Sequence, residues 1–392
     1  MKTTGQKIVR RRSRFGLRGI LVVVALGLMC GSAQAQGVDR VWTGNASQLW
    51  FVPDNWNSLS WPFPNDRAVF TDAAIRYNLD VQGGATFNAM AFNAQNNYTF
   101  SNGALNFGDL TTVAAGGFAT HLFNTNVNLP AGSIWTIDEF TTIEVAGQFS
   151  PSGGLDLLNT LQKLGDGTLV ISGDNDTVPG TIDIRRGEVV LAGGSAFSDT
   201  SHCEVKSNGT LRLQDSETIG ALGLGGSGTV ELGVNQLTLD GTTSPGSALF
   251  GTFAGTVSGE ATSTLRLDAA PNSLVQTLTG AVEIGGVEVT RGILNITGTL
   301  AMPDDGTQGF VVRGQFSTAE VRSGGFVQLP STGSAGVIQG ELLVRNSGEL
   351  LLTGTDSTIR ASRVTVGVGG GDSLLTVADN GLLDVTLCLL YT

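Results

Sequence analysis

The sequence predicts an all-β protein wound as a parallel β-helix, a β-solenoid, and three observations carry that expectation. Glycine supplies 56 of 392 residues, about twice its ordinary usage of ~7%. Charged residues make up 14% against 41% hydrophobic, too apolar for a disordered chain. Around many of the glycines, apolar residues alternate with Asp, Glu, Arg, Thr or Asn, the period-two mark of strands with one buried and one wet face. Helices are disfavoured because glycine costs roughly 0.5–1 kcal/mol inside them. Collagen is excluded because the glycines do not fall at every third position.

Taken in order, the chain opens on a segment read as a signal peptide, residues 1–35. It holds Lys2, Lys7, Arg10, Arg11, Arg12, Arg14 and Arg18 and no acid, then an apolar stretch at 20–29, then Ala33-Gln34-Ala35, a small-x-small cleavage pattern. Ten apolar residues span only ~15 Å of helix against ~30 Å of hydrocarbon, so no membrane anchor is expected. Phe15 lies one place too far beyond Arg11-Arg12 for the twin-arginine route, so general secretion is expected. Cys30 follows Gly27-Leu28-Met29 without the small residue of a lipidation site. Cleavage after Ala35 predicts an exported protein, extracellular or on the outer cell surface.

Removal of that segment takes away seven of the 22 basic residues and leaves 15 against 34 acidic ones, a net charge of −19. Such a chain has no electrostatic footprint for a phosphate backbone, so no nucleic-acid partner is expected, and no transmembrane segment is expected in the mature chain. Cys203 and Cys388 are then the remaining cysteines, too few for a disulfide framework. With His121 and His202 as the only histidines and no CxxC, neither a metal site nor a cofactor is predicted.

Residues 36–74 form a distinct, Trp-rich element with Trp42, Trp50, Trp56, Trp61, Pro53, Pro62 and Pro64. A short N-terminal cap over the end of a repeat domain is the expectation; an aromatic platform for sugars is the alternative. From 75 to 392 one unit of strand, tight corner and strand recurs. Ile182 and Ile184 lead through Gly187 to Val189 and Leu191, and Val205 through Gly209 to Leu211 and Leu213. The same grammar recurs at Gly292, Gly325, Gly348 and Gly381. Turn formers such as Ser207-Asn208 and Asp379-Asn380 precede several of these glycines, which are expected to take the positive φ of a sharp reversal.

The corner glycines lie 22, 83, 33, 23 and 33 residues apart, which suits solenoid coils better than two-residue hairpins. Strand-like runs at 229–232, 237–240 and 264–268 predict further coils inside the long interval. A single coil cannot bury its apolar side alone, but stacking at ~4.8 Å joins all the inward Leu, Val and Ile into one column.

Residues 163–175, Lys-Leu-Gly-Asp-Gly-Thr-Leu-Val-Ile-Ser-Gly-Asp-Asn, resemble the autotransporter-associated β-strand repeat, usually spelled K-x-G-x-G-T-L-x-L-S-G-x-N. The likeness extends through Gly180, Thr181, Ile182 and Gly187 and places a family-like repeat core at 161–192. Thr177 replaces a common aromatic, and Pro179 precedes Gly180. The stretch 41–70, with Val41-Trp42-Thr43-Gly44-Asn45, Asp54-Asn55-Trp56 and Pro64-Asn65-Asp66, resembles the opening of large secreted bacterial proteins that carry these repeats. The resemblance implies a right-handed parallel β-helix passenger, linked with adhesion or surface structure and without catalytic residues. The translocator barrel of that family has no counterpart here; ending in mid-repeat at Cys388-Leu389-Leu390-Tyr391-Thr392, the sequence reads as a truncated frame or a fragment.

Chemical motifs are weak. Residues 223–228 spell GxGxxG, yet a strand rather than a helix is expected next, which disfavours a dinucleotide. Gly369-Gly370-Gly371-Asp372 is a single copy where calcium rolls need tandem ones. Asp174, Asp176 and Asp183 beside Arg185 and Arg186 are the best enzyme candidates, because β-helix lyases and hydrolases set Asp against Arg or Lys on neighbouring coils. His202 and Cys203 are adjacent on a strand, hence on opposite faces. No catalytic, cofactor-binding or metal-binding residue is assigned. The function expected is a structural or adhesive one, with surface glycans or other envelope or extracellular proteins as partners. The alternatives are a secreted polysaccharide lyase or glycosidase, or passive carbohydrate binding.

Overall fold

The computed structural model describes residues 37–108, 112–130, 132–151, 160–175, 180–241, 249–269, 274–303, 309–329, 341–369 and 371–391. The signal-peptide segment and Asp176 lie outside the described residues. Strands make up 59% of what is described, and the only other regular element there is one 3-10 turn at Pro53–Asn55, with no α-helix. Among these residues no helix is long and apolar enough to cross a membrane.

Every pairing between the named strands is parallel, and the ladders form a β-solenoid of about 12 turns. Three ladders recur in fixed order. The first face runs from Asp39–Val41 through Arg67–Thr71 and Ala89–Asn93 to Ile134–Ile137 and Thr160–Leu164. The second is the most continuous. Its rungs include Thr142, Thr168, Glu188, Thr210, Thr229, Thr256, Ala281, Thr299, Phe326 and Thr358 in one outward column. The third carries Gln236–Leu239, Thr264–Asp268, Phe310–Arg313 and Glu341–Arg345. The expected strands of the long glycine interval are present as Thr229–Glu231, Gln236–Leu239 and Thr264–Asp268.

The irregular glycine spacing has a geometric cause. Gly187, Gly209, Gly325 and Gly381 open rungs of the second face, whereas Gly292 and Gly348 open rungs of the first. The same grammar thus serves two different corners.

The structure also corrects the reason for glycine. Of the six, only Gly187 and Gly292 have positive φ; before Gly325, Gly348 and Gly381 that conformation falls to preceding residues, Ser323, Asn346, Ser347, Asp379 and Asn380 among them, and neither Gly209 nor the two residues before it adopts it. What requires glycine at the second-face corner is close approach: a Cβ on Gly209 would stand 2.3 Å from the Ile184 carbonyl oxygen, and one on Gly325 2.3 Å from that of Ile296. Backbone of one coil rests on backbone of the next.

One apolar column fills the interior and changes character along its length. In the first coils it is aromatic: Phe70 stacks on Phe92 at 5.1 Å, Phe100 meets Phe123 edge-on at 5.0 Å, and Trp135 lies 5.7 Å from Phe149. Beyond, it is aliphatic, with Leu169, Val189, Leu211, Val230, Val257, Val282, Leu300, Val327 and Ile359 in register. Gln276 is a buried polar exception, exchanging two hydrogen bonds of 3.3 Å with the backbone of Leu222 across the glycine at 251.

The Trp-rich stretch carries the first strands of this ladder. Trp42, Trp50 and Trp56 are buried and packed edge to face at 5.2 and 4.9 Å, so these indoles present no face to a sugar ring. The Trp42 indole donates to the Arg76 carbonyl and the Trp56 indole to that of Trp50, both at 2.8 Å. Asn55 ties the preceding loop: its Oδ1 accepts from the Ala46 and Ser47 amides at 2.8 and 2.7 Å, and its Nδ2 donates to Ser47 Oγ and the Leu49 carbonyl.

His121 belongs to the same aromatic core, stacked on Phe92 at 4.1 Å, with Nδ1 accepting from the Tyr98 amide. Burial disfavours its charged form and pushes its pKa down to about 4. The unfolded chain, with an ordinary histidine near 6.5, binds more protons between these values. Stability therefore falls as pH drops from 6.5 toward 4, by ~3 kcal/mol for this group. Urea unfolding at pH 7.0 and 4.5 checks this: His121→Leu is expected to remove most of that difference.

Candidate functional site

The residues singled out by their chemistry meet on the outward side of the first face. Thr181–Leu191 and His202–Leu213 run parallel, and Gln162, Asp183 and Glu204 occupy successive rungs of one column. Alternation carries Ile182, Ile184, Cys203 and Val205 inward, where they are buried, and so turns Asp183, Arg185, His202, Glu204 and Lys206 the other way.

Asp183 is buried and accepts from Arg185 Nε at 2.7 Å; Glu204 accepts from Lys206 Nζ at 2.5 Å. Each carboxylate is thus met by the cation two residues further along its own strand. His202 is the register neighbour of Thr181, and its burial lowers its pKa, with Glu204 opposing the shift. Asp183 Oδ1 and His202 Nε2 are buried without a hydrogen-bond partner among the described residues. Sequence reasoning singled out Asp183, Arg185 and His202 but missed Glu204 and Lys206, because partners from the next coil are fixed by register, which the spacing of one strand does not reveal.

The other sequence candidates disperse. Asp174 is exposed beyond the next strand, and Arg186 turns to Asp166, with which it forms a two-pronged ion pair. Cys203 points into the core, opposite His202, as a free buried thiol whose pKa burial raises. Gly223 to Gly228 lead into strand Thr229–Glu231, and Gly228 takes its place in the corner column, where a Cβ would lie 2.2 Å from the Lys206 carbonyl oxygen. Gly369 and Gly371 both have positive φ in the turn before Leu374–Ala378; Gly370 lies outside the described residues. Among the described residues no group of three or more His, Cys, Asp or Glu side chains stands close enough to hold a metal ion.

The 163–175 motif resolves into architecture residue by residue. Lys163 is wholly buried, and its ammonium donates to the carbonyls of Leu164 at 3.1 Å, Gly165 at 2.8 Å and Arg186 at 3.0 Å, clamping two coils at one corner. Burial lowers its pKa to about 8, opposed by Asp166 and Glu188. Gly167 and Gly173 are corners where a Cβ would meet carbonyl oxygens at 2.2 and 2.1 Å. Leu169 and Ile171 enter the core, and buried Asn175 accepts from the Phe149 amide and donates to the Gly173 carbonyl. Lys163→Met, which keeps the stem but removes the donors, is expected to cost ~1–3 kcal/mol in urea unfolding at pH 7.

No family model, curated protein or solved structure matches the chain.

Proposed function

We propose that this chain is an exported, non-enzymatic scaffold of the autotransporter-associated repeat type. In this reading it stands at the outer cell surface or in the extracellular space and makes structural or adhesive contacts with surface glycans or other envelope proteins. The observation that supports it best is the use of the repeat motif: Lys163, Gly167, Leu169, Ile171, Gly173 and Asn175 are each committed to corner, core or coil-to-coil contact. The outward charges support it too, since Asp183, Glu204 and Glu188 are matched by Arg185, Lys206 and Arg212.

The competing reading, a secreted polysaccharide lyase or glycosidase, draws on the column of Gln162, Asp183 and Glu204. Fractionation of bacteria expressing the full chain, followed by incubation of the purified protein with pectin, alginate and neutral glycans with and without calcium, separates the two. The scaffold reading expects an exported product with no new chain ends in any polymer. Retention in the cytoplasm contradicts export. Turnover abolished by Asp183→Asn or Glu204→Gln contradicts the non-enzymatic role.

A further inference from the structure

Phe118 and Phe140 stand on the corner between the first and second faces, on successive coils. Their rings stack at 5.1 Å between centroids and 17° between planes, yet they are 68% and 64% exposed. Apolar side chains of this size are ordinarily drawn inward, and every other aromatic stack of these coils lies in the core. Phe140 also holds φ at +67°, a left-handed conformation that is a true outlier for a bulky side chain. Its turn is pinned: the Thr141 amide donates to the Asp138 carbonyl at 3.1 Å and its hydroxyl to the Gly117 carbonyl at 2.9 Å. A ring displayed at the expense of backbone strain is the pattern found at functional sites.

The surroundings are polar. Asp138 and Glu139 precede Phe140 and are exposed, as are Asp166 and Arg186 on the next coils. Arg186 is paired with Asp166, and Glu139 adds to the raising of its pKa. Two side chains are far too few for a protein interface, which needs about 20–30 residues a side. They do match the apolar face of one sugar ring, while carboxylates and a guanidinium at the rim suit its hydroxyls. Three carboxylates against one guanidinium, on a chain whose mature part carries −19, select against an acidic polymer.

We infer that the Phe118–Phe140 stack is a binding platform for a neutral polysaccharide, with Asp138, Glu139, Asp166 and Arg186 as its polar rim. The inference rests on the contact reading above only for the class of partner. Fractionation tests that reading without any glycan, so either can fail alone.

Affinity electrophoresis of the purified chain in gels containing a soluble neutral glucan, mannan or galactan, with polygalacturonate as the acidic contrast, tests the platform. At least one neutral polymer is expected to retard the protein and polygalacturonate is not. Phe118→Ala and Phe140→Gly are each expected to weaken that retardation about tenfold. Phe140→Gly is expected to raise Tm at the same time, since glycine adopts this φ freely; loss of binding with gain of stability separates a binding role from a packing one. Absence of retardation by all three neutral polymers, retardation by polygalacturonate alone, or unchanged retardation of both variants would overturn the inference.

Discussion

Gly255→Ala is expected to destabilise the solenoid by roughly 3 kcal/mol or more, at the upper end of what overpacking costs. Gly255 sits at the second-face corner with a φ any residue can adopt, so turn geometry is not at issue. The added Cβ would lie 1.9 Å from the Gly228 carbonyl oxygen and 2.7 Å from a ring carbon of Phe253. That same oxygen accepts the Thr256 amide at 2.9 Å, so relief of the clash breaks the rung that begins there. The coil above repeats the arrangement, with a Cβ on Gly280 2.0 Å from the Gly255 oxygen and one on Gly298 2.1 Å from that of Gly280. Thr256→Ala, an exposed change one residue away, is expected to stay within about 0.5 kcal/mol. Urea unfolding followed by circular dichroism measures both; equal effects would contradict close approach as the reason for glycine.

Trp50→Ala is expected to cost ~3–5 kcal/mol, the range for removing a buried large aromatic side chain. Its ring packs on Trp56 at 4.9 Å and Phe87 at 5.4 Å and closes the interior at the first coils. Each coil of a solenoid touches mainly its neighbours, so the damage concentrates nearby. Hydrogen exchange is expected to lose protection over strands from Asp39–Val41 to Thr99–Phe107, while strands from Thr229–Glu231 onward keep theirs. A variant of unchanged stability that no longer bound sugars would instead restore the aromatic-platform reading of the Trp-rich element.

The parallel fold was legible in the sequence because burial of one strand face forces alternation, and Val189, Leu191, Leu211 and Leu213 follow it into the core. The corners were legible as glycines but not in their cause. Positive φ is a local property that turn residues advertise, whereas contact between Gly209 and the Ile184 carbonyl arises only once coils are stacked. Stacking likewise hid the first-face column. Asp183 and Glu204 are 21 positions apart in the chain and neighbours in register, and no composition or spacing rule links them. Lys163 is the converse: its place in the repeat spelling was plain, yet a lysine in an apolar alternation suggests a wet face, and only the three carbonyls around its ammonium account for its burial.

Interspin distances along the second-face threonine column test the central claim most directly. Labels on cysteines replacing Thr168, Thr299 and Thr358, in a Cys30→Ser, Cys388→Ser background with buried Cys203 kept, sample one outward column whose rungs pass through Glu188, Thr210, Thr229, Thr256, Ala281 and Phe326. At ~4.8 Å a rung, the backbone separations predicted are ~29 Å from 168 to 299 and ~38 Å from 168 to 358. Distances that rise with rung number in this way fit stacked parallel coils. Distances that fail to grow between the two pairs, as when a chain folds back into two facing layers, would contradict the solenoid.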